Sequence, residues 1–199
     1  MRLSLLLLPL LAFLPFTVQS TFSTSMENIE PLISPSEIQQ KVVEFARIID
    51  DAYQGEELTV VMVMKGALCV TADLIRELKT SCTIESVTAS SYGQKGTHRG
   101  ELKIQGLENL DIAGKNVLLV DDIYDSGETI SKIYAALKVK KPKTLKSLVL
   151  LAKNVKRDAV YKPDYVLFNI ENQFVIGYGL DYKEFYRGLP GVYILTNEF

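Results

Sequence analysis

The sequence predicts a single α/β domain built on an open, mainly parallel sheet, and three observations predict it. Short apolar runs rich in β-branched residues recur at 58–64, 117–120, 144–153 and 165–170, with the length and composition of buried strands. Segments with helical spacing of apolar residues alternate with them, at 34–54, 67–78 and 128–139. Glycine and polar turn residues stand just beyond the carboxyl ends of strands, where open α/β sheets hold their ligands.

Residues 1–25 are set apart from this domain, which is expected over 26–199. Arg2, the apolar block 3–16 and the small and polar residues 18–20 have the form of a secretory signal. The alternative is a non-native extension ahead of a start at Met26. A stable membrane span is not expected, because the block falls short of about 20 residues and Pro9 and Pro15 interrupt it. The first helix opens at Ser34, a cap residue, with Pro35 suited to the first helical position and Glu37 at capping-box spacing. Ile38, Val42, Phe45, Ile48 and Ile49 give it an apolar face. Strand 58–64 turns at Lys65–Gly66 into helix 67–78, and 84–90 reads as the next strand. The polar stretch 91–106 carries Gly93, Gly96, Gly100 and Gly106 around Lys95, Arg99 and Lys103. Such a stretch is a mobile loop or a two-stranded excursion, and in a small domain it usually has a task. Strand 117–120 leads through an acidic turn into helix 128–139, which Pro142 stops. Two strands follow, and 174–199 is rich in Tyr, Gly and Phe.

Composition narrows the function classes. The chain has 199 residues, 47% of them hydrophobic, which excludes a disordered chain. Its 22 basic and 24 acidic residues leave a net charge of -2, a poor footing for non-specific nucleic-acid binding. Cys69 and Cys82 form no CxxC pair, and with the single His98 they cannot build a zinc site. Two idle thiols are expected rather than a disulfide.

The informative segment is DDIYDSGETI at 121–130. A core strand ends in paired carboxylates, Asp121 and Asp122, and Asp125, Ser126, Gly127, Glu128 and Thr129 then lead into a helix. Gly127 permits a close backbone approach, and the amides of 126–129 can converge on an anion with the Ser126 and Thr129 hydroxyls. An ordinary acidic cap is the competing reading. Three carboxylates within five residues exceed what capping requires, which favours a sugar-phosphate or nucleotide-phosphate site. Neither a Walker loop nor a GxGxxG fingerprint is present, and GYG at 177–179 is too weak a motif to count.

VLLVDDIYDSGETI at 117–130 closely resembles the phosphoribosyl-pyrophosphate signature of type I phosphoribosyltransferases. VMKGALCVTADLIREL at 63–78, SSYG at 90–93, LLAK at 150–153 and FVIGYGLDYKEFYRGLP at 174–190 resemble the hypoxanthine-guanine branch, in order and over roughly 34–195. The resemblance implies a twisted, mainly parallel sheet flanked by helices, with a small C-terminal hood formed near 165–199 and a mobile loop. It implies transfer of a phosphoribosyl group to hypoxanthine or guanine, giving IMP or GMP and pyrophosphate. It also implies magnesium as cofactor and a homodimer or homotetramer. The substrates are intracellular, so a cytoplasmic enzyme is expected and export is the minority reading of 1–20.

Each motif then implies a role. Asp121 and Asp122 engage the ribose hydroxyls and, with Asp181, help to hold magnesium, partly through water. Asp125 is the general base at the purine imidazole. Ser126, Gly127, Glu128 and Thr129 cradle the 5'-phosphate, with the Glu128 amide facing the ligand and its side chain facing solvent. Lys65 and Gly66 form the pyrophosphate turn, at a strained or cis peptide, and Arg187 is a second pyrophosphate contact. Lys153 donates to the 6-oxo group, Phe174 stacks on the base, Val175 offers backbone contacts and Asp181 lies near the 2-substituent. Ser91 and Tyr92 belong to the loop that closes over the reacting centre. Without the resemblance, Lys65–Gly66 is a plain turn, Arg187 a surface cation and Phe174 a core aromatic. Two alternatives share the fold: an enzyme preferring xanthine or guanine, and a catalytically weak regulatory protein. Leu167 and Glu171 depart from the glycine and proline usual in the branch, which is expected to loosen the turn before the hood.

Overall fold

The computed structural model describes residues 29–91, 102–156 and 161–196. The expectations for 1–25 and for Tyr92 lie outside the described residues, as does the side chain of Ser91.

The first strand, β1 (Ile29–Ile33), is followed by α1 (Pro35–Ala52), β2 (Leu58–Met64), α2 (Leu68–Glu77) and β3 (Cys82–Ser91). Then come β4 (Leu102–Gln105), a single 3-10 turn at Leu107–Asn109, β5 (Asn116–Tyr124), α3 (Glu128–Val139) and β6 (Thr144–Lys153). β7 (Tyr165–Ile170), β8 (Val175–Ile176) and β9 (Val192–Leu195) complete the chain. Six strands form one sheet in the order β4-β3-β2-β5-β6-β7. Its pairs are parallel except β3 with β4, which fits the two-stranded excursion among the two readings given for 91–106. The smaller sheet, β1-β9-β8, is the hood, and it draws β1 from the other end of the chain.

The local chemistry explains the elements. Ser34 caps α1: its Oγ accepts from the Glu37 amide at 3.3 Å, and the Glu37 carboxylate accepts from the Ser34 amide at 2.8 Å. Ile38, Val42, Ala46 and Ile49 are the buried stripe of α1 and pack with Val70 and Leu74 of α2 on one face of the sheet. On the other face Ile130, Ile133 and Leu137 of α3 meet Val61, Val117, Leu119 and Val149. Both faces of β2, β5 and β6 are therefore covered, which is why these strands read as continuous apolar runs. Leu167, one of the two departures, is a buried residue of the α1-side core. Among the described residues no helix is long and apolar enough to cross a membrane.

Strand order places the ligand crevice. From β2 the chain goes to β3 on one side and later returns through β5 on the other. β2/β5 is thus the topological switch point, whose carboxyl ends open toward ligands. Lys65–Gly66 follows β2 and Asp121–Thr129 closes β5, so both predicted turns meet there.

Asp50, near the end of α1, accepts from the backbone amides of Lys79 at 3.0 Å and Thr80 at 2.9 Å, tying α1 to the segment after α2. Burial acts to raise its carboxyl, but the Thr80 and Lys79 amides outweigh it and hold the group below its ordinary value. A carboxyl held low when folded adds stability above its unfolded value, and that contribution fades as pH falls through the folded value. Asp50→Ala is expected to cost about 1–2 kcal/mol near neutral pH. The gap from wild type should narrow below about pH 4. Urea unfolding of both proteins at neutral and acid pH measures it, and an equal gap at both would show that the charge is idle.

Candidate active site

The site is built from the carboxyl ends of β2, β5 and β6 and the loop after β8. β5 runs on through Asp121 and Asp122 to Tyr124, so the paired carboxylates belong to the strand end rather than to a loop. Asp121 is buried and Asp122 half-buried. The Asp121 carboxylate accepts from the Asp122 amide at 3.0 Å, and that of Asp122 from the Ile123 amide at 2.8 Å. Burial pushes the Asp121 carboxyl well up, with the Asp122 charge adding to it, and burial also raises Asp122. Gly127, at φ 80, caps α3 in the left-handed conformation that a side chain disfavours. The Ser126 hydroxyl accepts from the Glu128 amide at 3.3 Å. The Glu128 carboxylate turns along the helix to Lys132 at 2.8 Å.

Gly66 and Gly179 decide how tightly this corner closes. A Cβ on Gly66 would overlap the Asp122 carboxylate, and one on Gly179, at φ 102, would overlap the Gly66 carbonyl oxygen. The GYG segment set aside on sequence grounds is therefore a close-packing device. Its signal was invisible because the surface it meets comes from β2. The Met64–Lys65 peptide is cis, in keeping with the expectation for this turn.

The loop 177–189 supplies the cations' surroundings. The Gly179 amide donates to the Arg187 carbonyl at 2.9 Å, and Arg187 Nη1 donates back to the Gly179 carbonyl at 2.8 Å. Arg187 Nη2 pairs with Asp181 at 2.7 Å and with Glu184 at 3.4 Å. Lys65 Nζ pairs with Glu184 at 2.7 Å, and the Lys65 ammonium holds the Glu184 carboxyl below its usual range.

A cavity of about 410 Å³ gathers Lys65, Gly66, Asp121, Asp122, Ser126, Glu128, Thr129, Asp181 and Arg187. The sequence assigned these to the donor side except Asp181, which it placed near the purine 2-substituent and at the metal. Gly127 caps the adjoining helix without lining the cavity. Asp125 lies just outside and meets Lys153 instead, Oδ2 to Nζ at 3.4 Å. Lys153 and Asn154 line a neighbouring cavity of about 580 Å³, beside Glu171, which accepts from Asn154 at 3.4 Å. Phe174 lines neither cavity; its ring is 37% exposed and meets Tyr182 edge-on at 5.6 Å. Val175 is buried in β8. Cys69 and Cys82 are free thiols, as expected.

An open parallel sheet with a carboxylate pair and a glycine-capped helix at its switch point defines a ligand-binding α/β protein of the phosphate-handling kind. Comparison with known proteins narrows the class. The phosphoribosyl transferase domain model matches residues 34–183. The hypoxanthine-guanine phosphoribosyltransferase of Aquifex aeolicus is 39% identical over 172 residues, covering 86% of this chain and 97% of that protein. A crystal structure of a Bacillus anthracis hypoxanthine-guanine phosphoribosyltransferase superposes with a TM-score of 0.76 at 39% identity, covering 84% of this chain and 99% of that one. The bifunctional TilS/HprT protein of Listeria innocua is 40% identical over 167 residues, 84% of this chain, but the chain spans only 26% of that longer protein. The chain belongs to the phosphoribosyltransferase family, in its hypoxanthine-guanine branch.

The glycine contacts make a direct prediction. Gly66→Ala and Gly179→Ala should each lower stability by about 1–3 kcal/mol, the usual cost of forcing extra atoms into a packed site. Gly188→Ala, with open space around it and no left-handed φ, should be near neutral. Thermal unfolding compares the three, and unchanged midpoints for the first two would dismiss the close approach as a constraint.

Proposed function

We propose that this chain transfers the 5-phosphoribosyl group of phosphoribosyl pyrophosphate to hypoxanthine or guanine, giving IMP or GMP and releasing pyrophosphate. The observation that carries the reading is the Asp125–Lys153 pair beside a carboxylate-lined cavity at the switch point. A 6-oxopurine offers this pair a carbonyl oxygen and an imidazole nitrogen. Lys153, with a side chain only 12% exposed, donates to the oxygen. Adenine would set an exocyclic amine against that ammonium and leave both badly satisfied, which lowers rates by orders of magnitude. As the purine nitrogen bonds to the anomeric carbon, the bond to pyrophosphate breaks and its electron pair leaves with the pyrophosphate. Asp125 takes the purine's proton, so positive charge does not build up on the base. Phe174 stacks on the base, Val175 offers backbone contacts, and Asp181 lies toward the 2-substituent.

On the donor side, the amides and hydroxyls of Ser126, Gly127, Glu128 and Thr129 receive the 5'-phosphate. Asp121 and Asp122 accept hydrogen bonds from the ribose hydroxyls and counter positive charge developing on the ring. Lys65, the Gly66 backbone and Arg187 hold the pyrophosphate, the guanidinium matching phosphate oxygens. The cavity sets two cations, Lys65 and Arg187, against four carboxylates, Asp121, Asp122, Glu128 and Asp181. A polyanion entering such a lining needs a cation with it, and the donor set fits magnesium shared among carboxylates, water and substrate oxygens. Asp121, Asp122 and Asp181 would hold it, partly through water, and when bound it would offset the negative charge growing on pyrophosphate. Ser91 and Tyr92 belong to the segment proposed to close over the site and exclude water. Assembly as a homodimer or homotetramer is part of the same reading.

Nucleotide formation from phosphoribosyl pyrophosphate with hypoxanthine, guanine, xanthine or adenine, each with magnesium, tests the assignment. Activity is expected with the first two and almost none with adenine. Asp125→Asn should lower turnover by about 10²–10⁴. An unaltered rate would remove Asp125 from the proton transfer, and equal use of adenine would sink the role given to Lys153.

A further inference from the structure

We propose that Glu184 is a built-in stand-in for a phosphate group: it pairs with both cations assigned to pyrophosphate and must let go when the donor or pyrophosphate enters. This rests on the donor-side reading above. One carboxylate oxygen, Oε2, lies 2.7 Å from Lys65 Nζ and 3.4 Å from Arg187 Nη2, and so bridges the two cations assigned to pyrophosphate. The bridge joins residues far apart in the chain, one after β2 and one in the hood loop. Backbone geometry aims Glu184 there. Its amide donates to Asp181 Oδ2 at 2.8 Å, and Lys183, Glu184 and Tyr186 all take left-handed φ values of 51, 71 and 73. Asp181 in turn pairs with Arg187, so the loop carries its own anions to its own cation.

A carboxylate is a weak mimic of phosphate, with two oxygens in place of three and about half to two-thirds of the charge. Glu184 is 64% exposed and Lys65 58%, so the pair is solvated and easily exchanged. An exposed pair of this kind restrains without blocking. Three consequences follow for the reaction. The bridging carboxylate screens the two cations from each other's repulsion. The diphosphate must compete for them on entry. The carboxylate returns to them as pyrophosphate departs, which lowers the affinity for that product.

Calorimetric titration of magnesium pyrophosphate into the full chain tests this without relying on turnover. Glu184→Gln should bind pyrophosphate more tightly, by about two- to fivefold, the scale of an exposed ion pair. Removing a charge near an anion site raises affinity on its own account, so Glu184→Asp separates the two causes. It keeps the charge but shortens the reach by one methylene, and should bind nearly as tightly as Glu184→Gln if contact with Lys65 and Arg187 is what matters. Wild-type affinity in Glu184→Asp with tighter binding in Glu184→Gln would reduce the effect to charge alone and overturn the stand-in role. Weaker or unchanged binding in Glu184→Gln overturns it as well, since Glu184 would then assist the ligand or ignore it. A wild-type chain that binds no magnesium pyrophosphate at all would defeat the donor-site reading together with this one.

Discussion

The carboxyl end of the sheet depends on one close approach, in which Gly66 fits between the Asp122 carboxylate on one side and Gly179 on the other. Three segments from different parts of the chain meet there with no room for a side chain on either glycine. The consequence is positional. Asp122 is set against the turn that carries Lys65, and the hood loop is pressed down so that the Arg187 and Gly179 backbones bond to each other. Anchoring from the far side comes from Tyr178, whose hydroxyl donates to Asp73 of α2 at 2.7 Å. The hood is thus fixed to the scaffold on both sides of Gly179, and its functional side chains inherit that fixity.

The same corner concentrates electrostatic cost. Two adjacent carboxylates in a buried setting are disfavoured, because burial and their mutual repulsion both penalise the charged forms. The two-faced core supplies the margin. Each fully buried Leu, Ile or Val contributes about 1.5–3 kcal/mol, and both faces of β5 are lined by such residues up to the point where Asp121 begins. β5 is therefore one strand with two physical regimes. Its first half stabilises the fold, and its last residues hold charge in an environment that raises carboxyl affinity for protons and, equally, for any cation or hydroxyl that relieves them.

Most of the scaffold was legible because parallel strands covered on both faces leave an unmistakable apolar signature. β2, β6 and β7 have the limits that their composition gives, and α3 begins where Gly127 ends the turn. The capping box of α1 is equally local and equally readable. What escaped was long-range. β1 holds only five residues, includes Pro31 and Glu30, and is a strand because β9 pairs with it through a bulge. GYG at 177–179 was too weak a motif to count, because the carbonyl it packs against is supplied by Gly66. Glu184 gave no signal at all, since its meaning lies in Lys65, 119 positions away. The site residues themselves were found through motif resemblance, and their convergence required the strand order.

Register explains why the residues proposed to meet the purine stand together. Tyr124, the last residue of β5, pairs with Ala152 of β6, so Asp125 opens the turn after β5 beside Lys153, the last residue of β6. Their 3.4 Å contact is made where the sheet hands over to the turn before α3. A slip of one residue in that pairing would turn Lys153 to the opposite face. The β2/β5 interval, meanwhile, sets Lys65 and Gly66 against Asp122. β5 is shared by both intervals, so the carboxylate pair and the turn that carries Asp125 both follow from the end of one strand. Sites mounted on regular elements hold their geometry more closely than sites on loops. On the proposed reading, both halves of the transfer are referred to the end of β5, with the hood loop packed against the corner at Gly66.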